Sequence, residues 1–534
     1  MRVHDHPEVS APAAGNQLRD LPTRPSRLEQ LLAFGILLVS SLYRPLIFWA
    51  NNAWDISSPL KPLAVGAAAL ALGLSAWWLL TKLGIRSIPA ALGVGGSLLV
   101  LFHWQNIEVL TPFLWLGLLA VVVWVSHKLA SKKALEAIAI VVIAVLGVSP
   151  IAQLVAGHIR QAQPYQLVPL ADRAAATPTG AVEDLVLVVI DSYPAPAIAE
   201  TWFGHKAEAL HDSLTDNGMV VHAVGLSQHT FTILAVPSIL ELQPIAGEGS
   251  AGSRGNRRRL REIMGGDSLT RRSLESAGFR YTHVEGGVDG TSCGSDVDVC
   301  VNSPWMDERA WKLLQLSVLG PYLNDRDGSW GLAASIAAAN NVTRVLEDVQ
   351  GNGVHDYVFA HIILPHPPTV ADSECGRLAA SPSSGAAQIG IEADSRPDDR
   401  FEGQLACADR LITQVAAALE PSTAIVIASD HGTGFNGQVS TSPDTWSDSD
   451  IVERFGILLA HRMPKECPEP VAATNIDVMR AVLACTVDMN MPARQPRFLI
   501  GLVDPEWVDP SRMDLIRERL EDGDIPRPEQ PDAD

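Results

Sequence analysis

Five long apolar runs open this chain, and short β-branched runs separated by amphipathic segments fill the rest. The apolar runs are Leu31–Ala50, Pro62–Leu80, Ile88–Phe102, Val109–Val125 and Ala134–Ala156. Several reach the roughly 20 residues that a helix needs to cross a bilayer. The third is short and Gly-rich, and Arg44-Pro45 interrupts the first. Five such runs in succession leave too little polar surface between them for a soluble helical core. A cleaved signal peptide does not fit, because the first run starts late and four more follow. Residues 28–156 therefore read as a five-helix transmembrane domain.

The charges between the runs set its orientation. Arg19, Arg24 and Arg27 precede the first run, Lys82 and Arg86 follow the second, and Lys128, Lys132 and Lys133 follow the fourth. The alternate loops hold Lys61 in one and no Lys or Arg in the other, His103 to Glu108. By the positive-inside rule residues 1–27 lie in the cytoplasm, and five crossings put residues 157–534 outside. Arg44, costly at bilayer depth, either snorkels or marks a break in the first helix.

Residues 157–183, rich in Ala, Pro and Gln, read as a linker. Beyond them the hydrophobic period changes. Leu185–Ile190, Val220–Leu226, Arg280–Val284, Tyr357–Leu364, Ala424–Ala428, Phe455–Ala460 and Phe498–Val503 read as strands. Stretches near 200–215, 269–277, 333–350, 403–419 and 474–487 read as helices. Strands apolar on both faces and spaced by helices predict a mainly parallel α/β sheet over 184–505. Residues 506–534 read as a final helix and an acidic tail. Sites on such sheets gather beyond the carboxyl ends of the strands.

Composition sharpens this picture. Of 534 residues 47% are hydrophobic and 19% charged, which excludes a disordered chain. The formal charge of −20 is uneven: residues 1–160 hold 12 Lys/Arg and 7 Asp/Glu, and the remainder 28 and 53. A region at −25 is a poor polyanion binder, which argues against nucleic acid as a partner. All six cysteines, Cys293, Cys300, Cys375, Cys407, Cys467 and Cys485, lie in the outer part. An even count on an exported domain predicts disulfides. Cys293–Cys300 suits a local bridge, and Cys375–Cys407 and Cys467–Cys485 follow as the sequential pairing. Cysteine-bound metal is the alternative, without C-x-x-C spacing to support it.

Three strand ends carry residues suited to a metal or a nucleophile. Leu185–Ile190 delivers Asp191 to its tip, followed by Ser192. Ala424–Ala428 runs into Ser429, Asp430, His431 and Gly432, placing a carboxylate beside an imidazole, with a glycine for the tight turn. After Leu226 comes Ser227-Gln-His-Thr230-Phe-Thr232, with a helix predicted to start around Thr232 and Pro237 in its early part. A hydroxyl at a helix start sits in a field that favours its alkoxide and binds anions. Taken singly, these residues are as well read as a turn aspartate, a hydrogen-bonded histidine and an N-cap. A fourth segment, Phe359-Ala-His361-Ile-Ile-Leu-Pro365-His366-Pro367-Pro368, places His361 within a strand and His366 just past its end.

In this order the motifs resemble the alkaline phosphatase/sulfatase superfamily, over roughly Val182 to Val503. With the membrane anchor they look most like its membrane-anchored sulfatase-like branch, which includes lipoteichoic acid synthases and phosphoethanolamine and phosphoglycerol transferases. The stretch A-H-I-I-L-P-H-P-P, and the run from Glu453-Arg454-Phe455 to Asn475, also look like parts of that branch. The resemblance implies an extracytoplasmic sulfatase-like α/β domain and one divalent metal held by Asp191, Thr232, Asp430 and His431. It implies Thr232 as nucleophile, by its T-x-x-A-V-P spacing, with Thr230 the runner-up. His366, with His361, would contact the transferred group or its leaving group. The arylsulfatase signature C-x-P-S-R is absent, since the chain reads Ala235-Val236-Pro237-Ser238-Ile239. No clear counterpart of a second metal-site histidine follows Gly432.

Oxygen ligands with one nitrogen suit zinc or manganese in preference to calcium or magnesium. The implied activity moves a phospho-alcohol group of phosphoglycerol or phosphoethanolamine type from a membrane lipid donor to an envelope glycan or lipid acceptor. A phosphoesterase or sulfuric ester hydrolase on the same scaffold is the alternative. A non-catalytic surface binding domain is the reading of another class. The implied location is the inner or plasma membrane, with the catalytic domain periplasmic or extracellular. Oligomeric state is left open.

Overall fold

The structure, a computed structural model, describes residues 25–52, 60–101, 110–161, 177–245, 254–302, 308–315, 329–378, 400–435, 442–465, 467, 470–489, 491, 494–501 and 506–526. Arg19 and Arg24, the loop His103 to Glu108, most of the linker and the end of the acidic tail lie outside these residues. The chain divides into two compact units. One holds residues 1–43, 66–100 and 109–148, and the other holds 149–534 together with 44–65 and 101–108.

Five helices occupy the five apolar runs: α1 (Arg27–Asn52), α2 (Leu60–Lys82), α3 (Ser87–Leu101), α4 (Leu110–Leu129) and α5 (Lys132–Gln161). Among the described residues, three stretches are long and apolar enough to cross a membrane: Arg27–Ala50, Leu60–Lys82 and Lys132–Ala156. The apolar parts of the other two, Ser87–Val100 and Leu116–Lys128, are shorter. Helix α1 is continuous through Pro45, so Arg44-Pro45 does not break it. Small residues face inward here, with Ala33, Ala91 and Ala139 packed beside Ile36, Leu37, Ile88 and Leu135. Large ones face outward, among them Leu72, Trp78, Trp124, Val141 and Val148. A water-soluble bundle would reverse this arrangement, which is the one that suits a lipid solvent.

The second unit is a three-layer α/β fold. In chain order its elements are β1 (Leu185–Ile190), α6 (Pro196–Phe203), α7 (Glu208–Asp216), β2 (Val220–Val221), β3 (Gly225–Leu226), α8 (Thr232–Leu240), α9 (Arg254–Met264), α10 (Leu269–Ser276), β4 (Arg280–Val284), β5 (Val299–Val301) and α11 (Glu308–Gln315). Then follow α12 (Ser329–Val349), β6 (Asp356–Ile362), α13 (Arg400–Ala417), β7 (Ala424–Ser429), α14 (Asp448–Phe455), β8 (Gly456–Ile457), β9 (Leu459–Arg462), α15 (Asn475–Thr486), β10 (Leu499–Ile500), β11 (Glu506–Trp507) and α16 (Pro510–Glu521). Among the described residues, seven strands form the main sheet in the order β2-β9-β7-β1-β6-β4-β5. The run from β7 to β5 is parallel, β9 is antiparallel to β7, and β2 pairs antiparallel with β9 at the edge.

Successive residues of the central strands feed opposite faces, as a period of two requires. From β1, Val186, Val188 and Ile190 pack into one core, with Leu346 of α12 and Leu405 and Ile412 of α13. Leu185, Leu187 and Val189 pack into the other, with Leu234 of α8, Leu274 of α10 and Met479 of α15. A third cluster joins Ile198, Phe455, Phe498, Ile500 and Ile516 around the C-terminal helix.

Three expected strands differ from what forms. Val220–Leu226 splits into β2 and β3, which lie in different sheets. Gly225 is needed there because a Cβ would stand 2.3 Å from Leu459 Cβ. Phe455 ends a helix instead of starting a strand. Ser447 and Asp450 form a capping box that launches α14, and the helix runs on until Gly456 turns extended. Around Phe498–Val503 only Leu499–Ile500 is strand, paired with β11 outside the main sheet, and residues 502–503 lie outside the described set.

The cysteines pair as Cys293–Cys300, Cys375–Cys407 and Cys467–Cys485, as the sequential pairing expected, and none is free for metal. They close loops of sequence separation 7, 32 and 18. Chain-entropy arithmetic gives about 2.4 kcal/mol for the shortest loop and about 3.7 kcal/mol for the longest. In purified full-length protein, the double serine variant of Cys375 and Cys407 is therefore expected to lose more Tm than that of Cys293 and Cys300. An equal or reversed order would show that loop closure does not govern their contribution.

Candidate active site

The site lies where the sheet rule places it, beyond the carboxyl ends of β1 and β7. These strands are adjacent, parallel and in register, Ile190 beside Ser429. The next residue of each, Asp191 and Asp430, is therefore delivered to the same spot. Both carboxylates are buried. Asp191, Asp430 and His431 offer ligand atoms that all lie within 4.8 Å of one another. His431 Nε2 stands 3.8 Å from Asp191 Oδ1 and 3.4 Å from Asp430 Oδ2. Thr232, the first residue of α8, brings its Oγ1 to 3.1 Å from the same Nε2. The four residues expected to hold a metal thus converge.

The local backbone is shaped for this. Ser192 has a positive φ of 62°, which lets its N–H reach Asp430 Oδ1 at 3.1 Å while its hydroxyl donates to Asp191 Oδ1 at 3.1 Å. Asp430 Oδ1 also accepts from the His431 amide at 2.8 Å. The other oxygen, Oδ2, is buried with no hydrogen-bond partner. His431 Nδ1 lies 2.9 Å from the Gly432 carbonyl. Donation there fixes the tautomer and leaves Nε2 as a lone pair facing the carboxylates. Gly432 is obligatory in this turn, since a Cβ would stand 2.0 Å from the Glu453 carbonyl oxygen.

The electrostatics of the cluster favour a cation. Burial, then the neighbouring Asp191 carboxylate, push Asp430 up to about 7, against the pull of the Thr232 hydroxyl and of the Ser192 and His431 amides, which favour its ionised form. Burial, then Arg454, hold His431 well below the ordinary histidine range. Two adjacent buried carboxylates, an orphaned carboxylate oxygen and a neutral imidazole with its lone pair turned inward form a donor set that fits one divalent metal.

The other sequence candidates fall around this centre. Thr230 is fully buried, but its hydroxyl accepts from the Gly501 amide at 3.2 Å and so is engaged elsewhere. His361, on β6, is fully buried, with Nε2 3.8 Å from Asp191 Oδ2 and no hydrogen bond to that nitrogen. Burial and the nearby His366 lower it to about 3. His366 lies on the turn after β6 and is exposed, its ring against the Pro367 carbonyl.

Two site residues carried no assigned role from sequence. Ser192 stood beside Asp191 all along, and the sign that it matters is its left-handed backbone, which sequence does not report. Arg454 on α14 is buried, with Nε donating to the Thr230 carbonyl at 2.6 Å, Nη1 to the Gly432 carbonyl at 2.8 Å, and Nη2 3.3 Å from His431 Nε2.

No protein-family model and no curated protein matches this chain. Solved structures similar to it include the C-terminal periplasmic domain of EptC from Escherichia coli, at 11% identity and a TM-score of 0.36, covering 63% of this chain and 94% of that one. Another is the integral membrane lipooligosaccharide phosphoethanolamine transferase A (EptA) from Neisseria meningitidis, at 14% identity and 0.34, covering 80% and 88%. A third is BT1596, a 2-O GAG sulfatase, at 11% and 0.38, covering 60% and 77%. By name these neighbours include phosphoethanolamine transferases and a sulfatase. At such scores the functional argument rests on the residues themselves.

Two outcomes follow from this geometry. Gly432→Ala is expected to lower Tm by several degrees and to weaken zinc binding at least tenfold, because the added methyl displaces the turn carrying His431. Unchanged zinc affinity would mean the turn is held less tightly than described. The second concerns pH in chelator-treated protein. Folded Asp430 keeps its proton up to about pH 7, whereas the unfolded carboxyl loses it near roughly pH 4. Between these values the folded state binds more protons, so this residue's contribution to stability falls as pH rises. Asp430→Asn removes that slope, and the variant's Tm should gain steadily on wild type across the window. A gap that stays constant with pH would contradict the raised carboxyl.

Proposed function

We propose that this protein is an integral-membrane, metal-dependent enzyme that transfers a phospho-alcohol group, of phosphoglycerol or phosphoethanolamine type, through a covalent phospho-threonine. The observation that carries this reading is the approach of the Thr232 hydroxyl to the buried Asp191–Asp430–His431 cluster, 3.1 Å from His431 Nε2. Asp191, Asp430, His431 and the Thr232 oxygen would hold the ion. When bound, a divalent metal lowers the pKa of a neighbouring hydroxyl and offsets charge on phosphoryl oxygens.

The chain's own groups then divide the work. Ser192 and the Gly432 carbonyl fix the carboxylates and the imidazole. Thr232 Oγ loses its proton to solvent and bonds to phosphorus as the bond to the donor's alcohol breaks. His366, exposed past the end of β6, gives the departing oxygen a proton, and His361 faces the transferred group from the buried side. An acceptor alcohol then gives its proton to His366 and attacks the same phosphorus, breaking the bond to Thr232, whose oxygen regains a proton from solvent. The absence of a cysteine at Ala235 favours phosphate over sulfate esters. The apolar helices favour a lipid donor, with five spans, residues 1–27 inside and the α/β unit outside, and an envelope glycan or lipid as acceptor.

Incubation of full-length protein with headgroup-labelled phosphatidylglycerol or phosphatidylethanolamine, followed by peptide mass spectrometry, tests this. The label is expected on Thr232. Thr232→Ala should abolish both adduct and turnover while leaving the fold intact, since one helix-start hydroxyl is worth only about 1 kcal/mol. Thr232→Ser should retain part of the activity, and Thr230→Ala should remain active. Label on Thr230, or full turnover in Thr232→Ala, would overturn the assignment.

A further inference from the structure

The buried guanidinium of Arg454 has a function that the metal cluster alone does not explain. Two of its arms are committed to backbone carbonyls, Thr230 at 2.6 Å and Gly432 at 2.8 Å. They join the segment that leads into Thr232 to the turn that carries His431. The third arm, Nη2, stands 3.3 Å from His431 Nε2, and the Thr232 hydroxyl stands 3.1 Å from the same nitrogen. That nitrogen has one lone pair, because Nδ1 serves the Gly432 carbonyl. Arg454 and Thr232 therefore compete for it, and a metal on His431 takes it from both. A buried guanidinium N–H left without an acceptor is costly, and arginine does not shed its charge.

We propose, resting on the reading above, that Arg454 is a specificity-determining residue whose Nη2 binds a non-bridging oxygen of a tetrahedral ester anion as that anion meets Thr232. Its ligand class is the phosphoryl group, free or esterified. A single charged N–H arm donates a strong hydrogen bond to such an oxygen. The start of α8 adds to the same field, for it has no side-chain cap and its first residue is Thr232 itself. The arrangement also answers a charge problem. Asp191, Asp430 and Glu453 act electrostatically on this guanidinium, and without a positive group beside them they would repel the anion that the reaction needs. The clamp on the Thr230 and Gly432 carbonyls gives the fork a fixed direction, which a lysine cannot reproduce.

The experiment uses full-length protein in detergent, loaded with zinc, desalted and titrated with inorganic phosphate, for wild type, Arg454→Gln and Arg454→Lys. Zinc content and Tm are measured on the same samples. Arg454→Gln is expected to keep its zinc but bind phosphate at least tenfold more weakly, and Arg454→Lys to recover part of that loss. Phosphate affinity unchanged in zinc-loaded Arg454→Gln would overturn the proposal. If the glutamine variant loses zinc or unfolds, the lysine variant decides. Zinc retained with weakened phosphate binding supports the proposal, and zinc lost there too, or phosphate bound as in wild type, makes Arg454 a structural clamp and refutes it. Wild type that binds neither zinc nor phosphate would instead remove the underlying metal-site reading, an outcome visible before any variant is compared.

Discussion

Two carboxylates buried side by side are the constraint on which the rest of this structure turns. Asp191 and Asp430 end neighbouring parallel strands whose register is fixed by pairs up to Ile190 and Ser429. The Asp430 amide donates to the Ile190 carbonyl at 3.1 Å, so the ladder continues into the site and neither aspartate can drift from the other. Like charges at this depth cannot both persist unless a cation answers them. The surrounding architecture supplies what such a cation would need: an imidazole with a fixed tautomer, a hydroxyl at a helix start, and an arginine set back by one shell. Each comes from a different element, and hydrogen bonds join them: the Gly432 amide donates to the Arg454 carbonyl, and Thr232 Oγ1 stands 3.1 Å from His431 Nε2.

The two units dispose similar apolar material in opposite ways. In the α/β unit the β-branched residues of β1, β6 and β7 are fully buried between two helical layers. In the helical unit Val141, Val145 and Val148 of α5 remain exposed while alanines fill the interior. That contrast is the physical basis for reading the first unit as lipid-embedded and the second as facing water. The disulfides follow the same division, since all three lie in the second unit.

Much of this was legible in the sequence, for identifiable reasons. The strands β1, β4 and β7 are short apolar runs bounded by polar turn residues, and their tips announced Asp191, Asp430 and His431. The start of α8 at Thr232 was expected from sequence, and Pro237 lies inside the helix as its sixth residue. Short edge elements were harder. β2, β3 and β8 are two-residue strands whose pairing depends on distant partners such as Ile457 and His461, and no local period encodes that. Helix α14 was missed although its capping box is present, because the apolar residues that follow it resemble a strand. Arg454 could not be assigned a role from sequence, since a buried arginine acquires meaning only from the carbonyls it finds, and those belong to residues 22 and 224 positions away.

The central claim is that Asp191, Asp430 and His431 form one metal site with Thr232 at its edge. Anomalous diffraction at the zinc absorption edge, on crystals of the zinc-loaded protein, addresses it directly. The account predicts a single strong peak with Asp191, Asp430 and His431 Nε2 within about 2.0–2.2 Å, and the Thr232 oxygen beside it. A peak at other residues, or Asp430 and His431 hydrogen-bonded to each other with no anomalous signal between them, would contradict it.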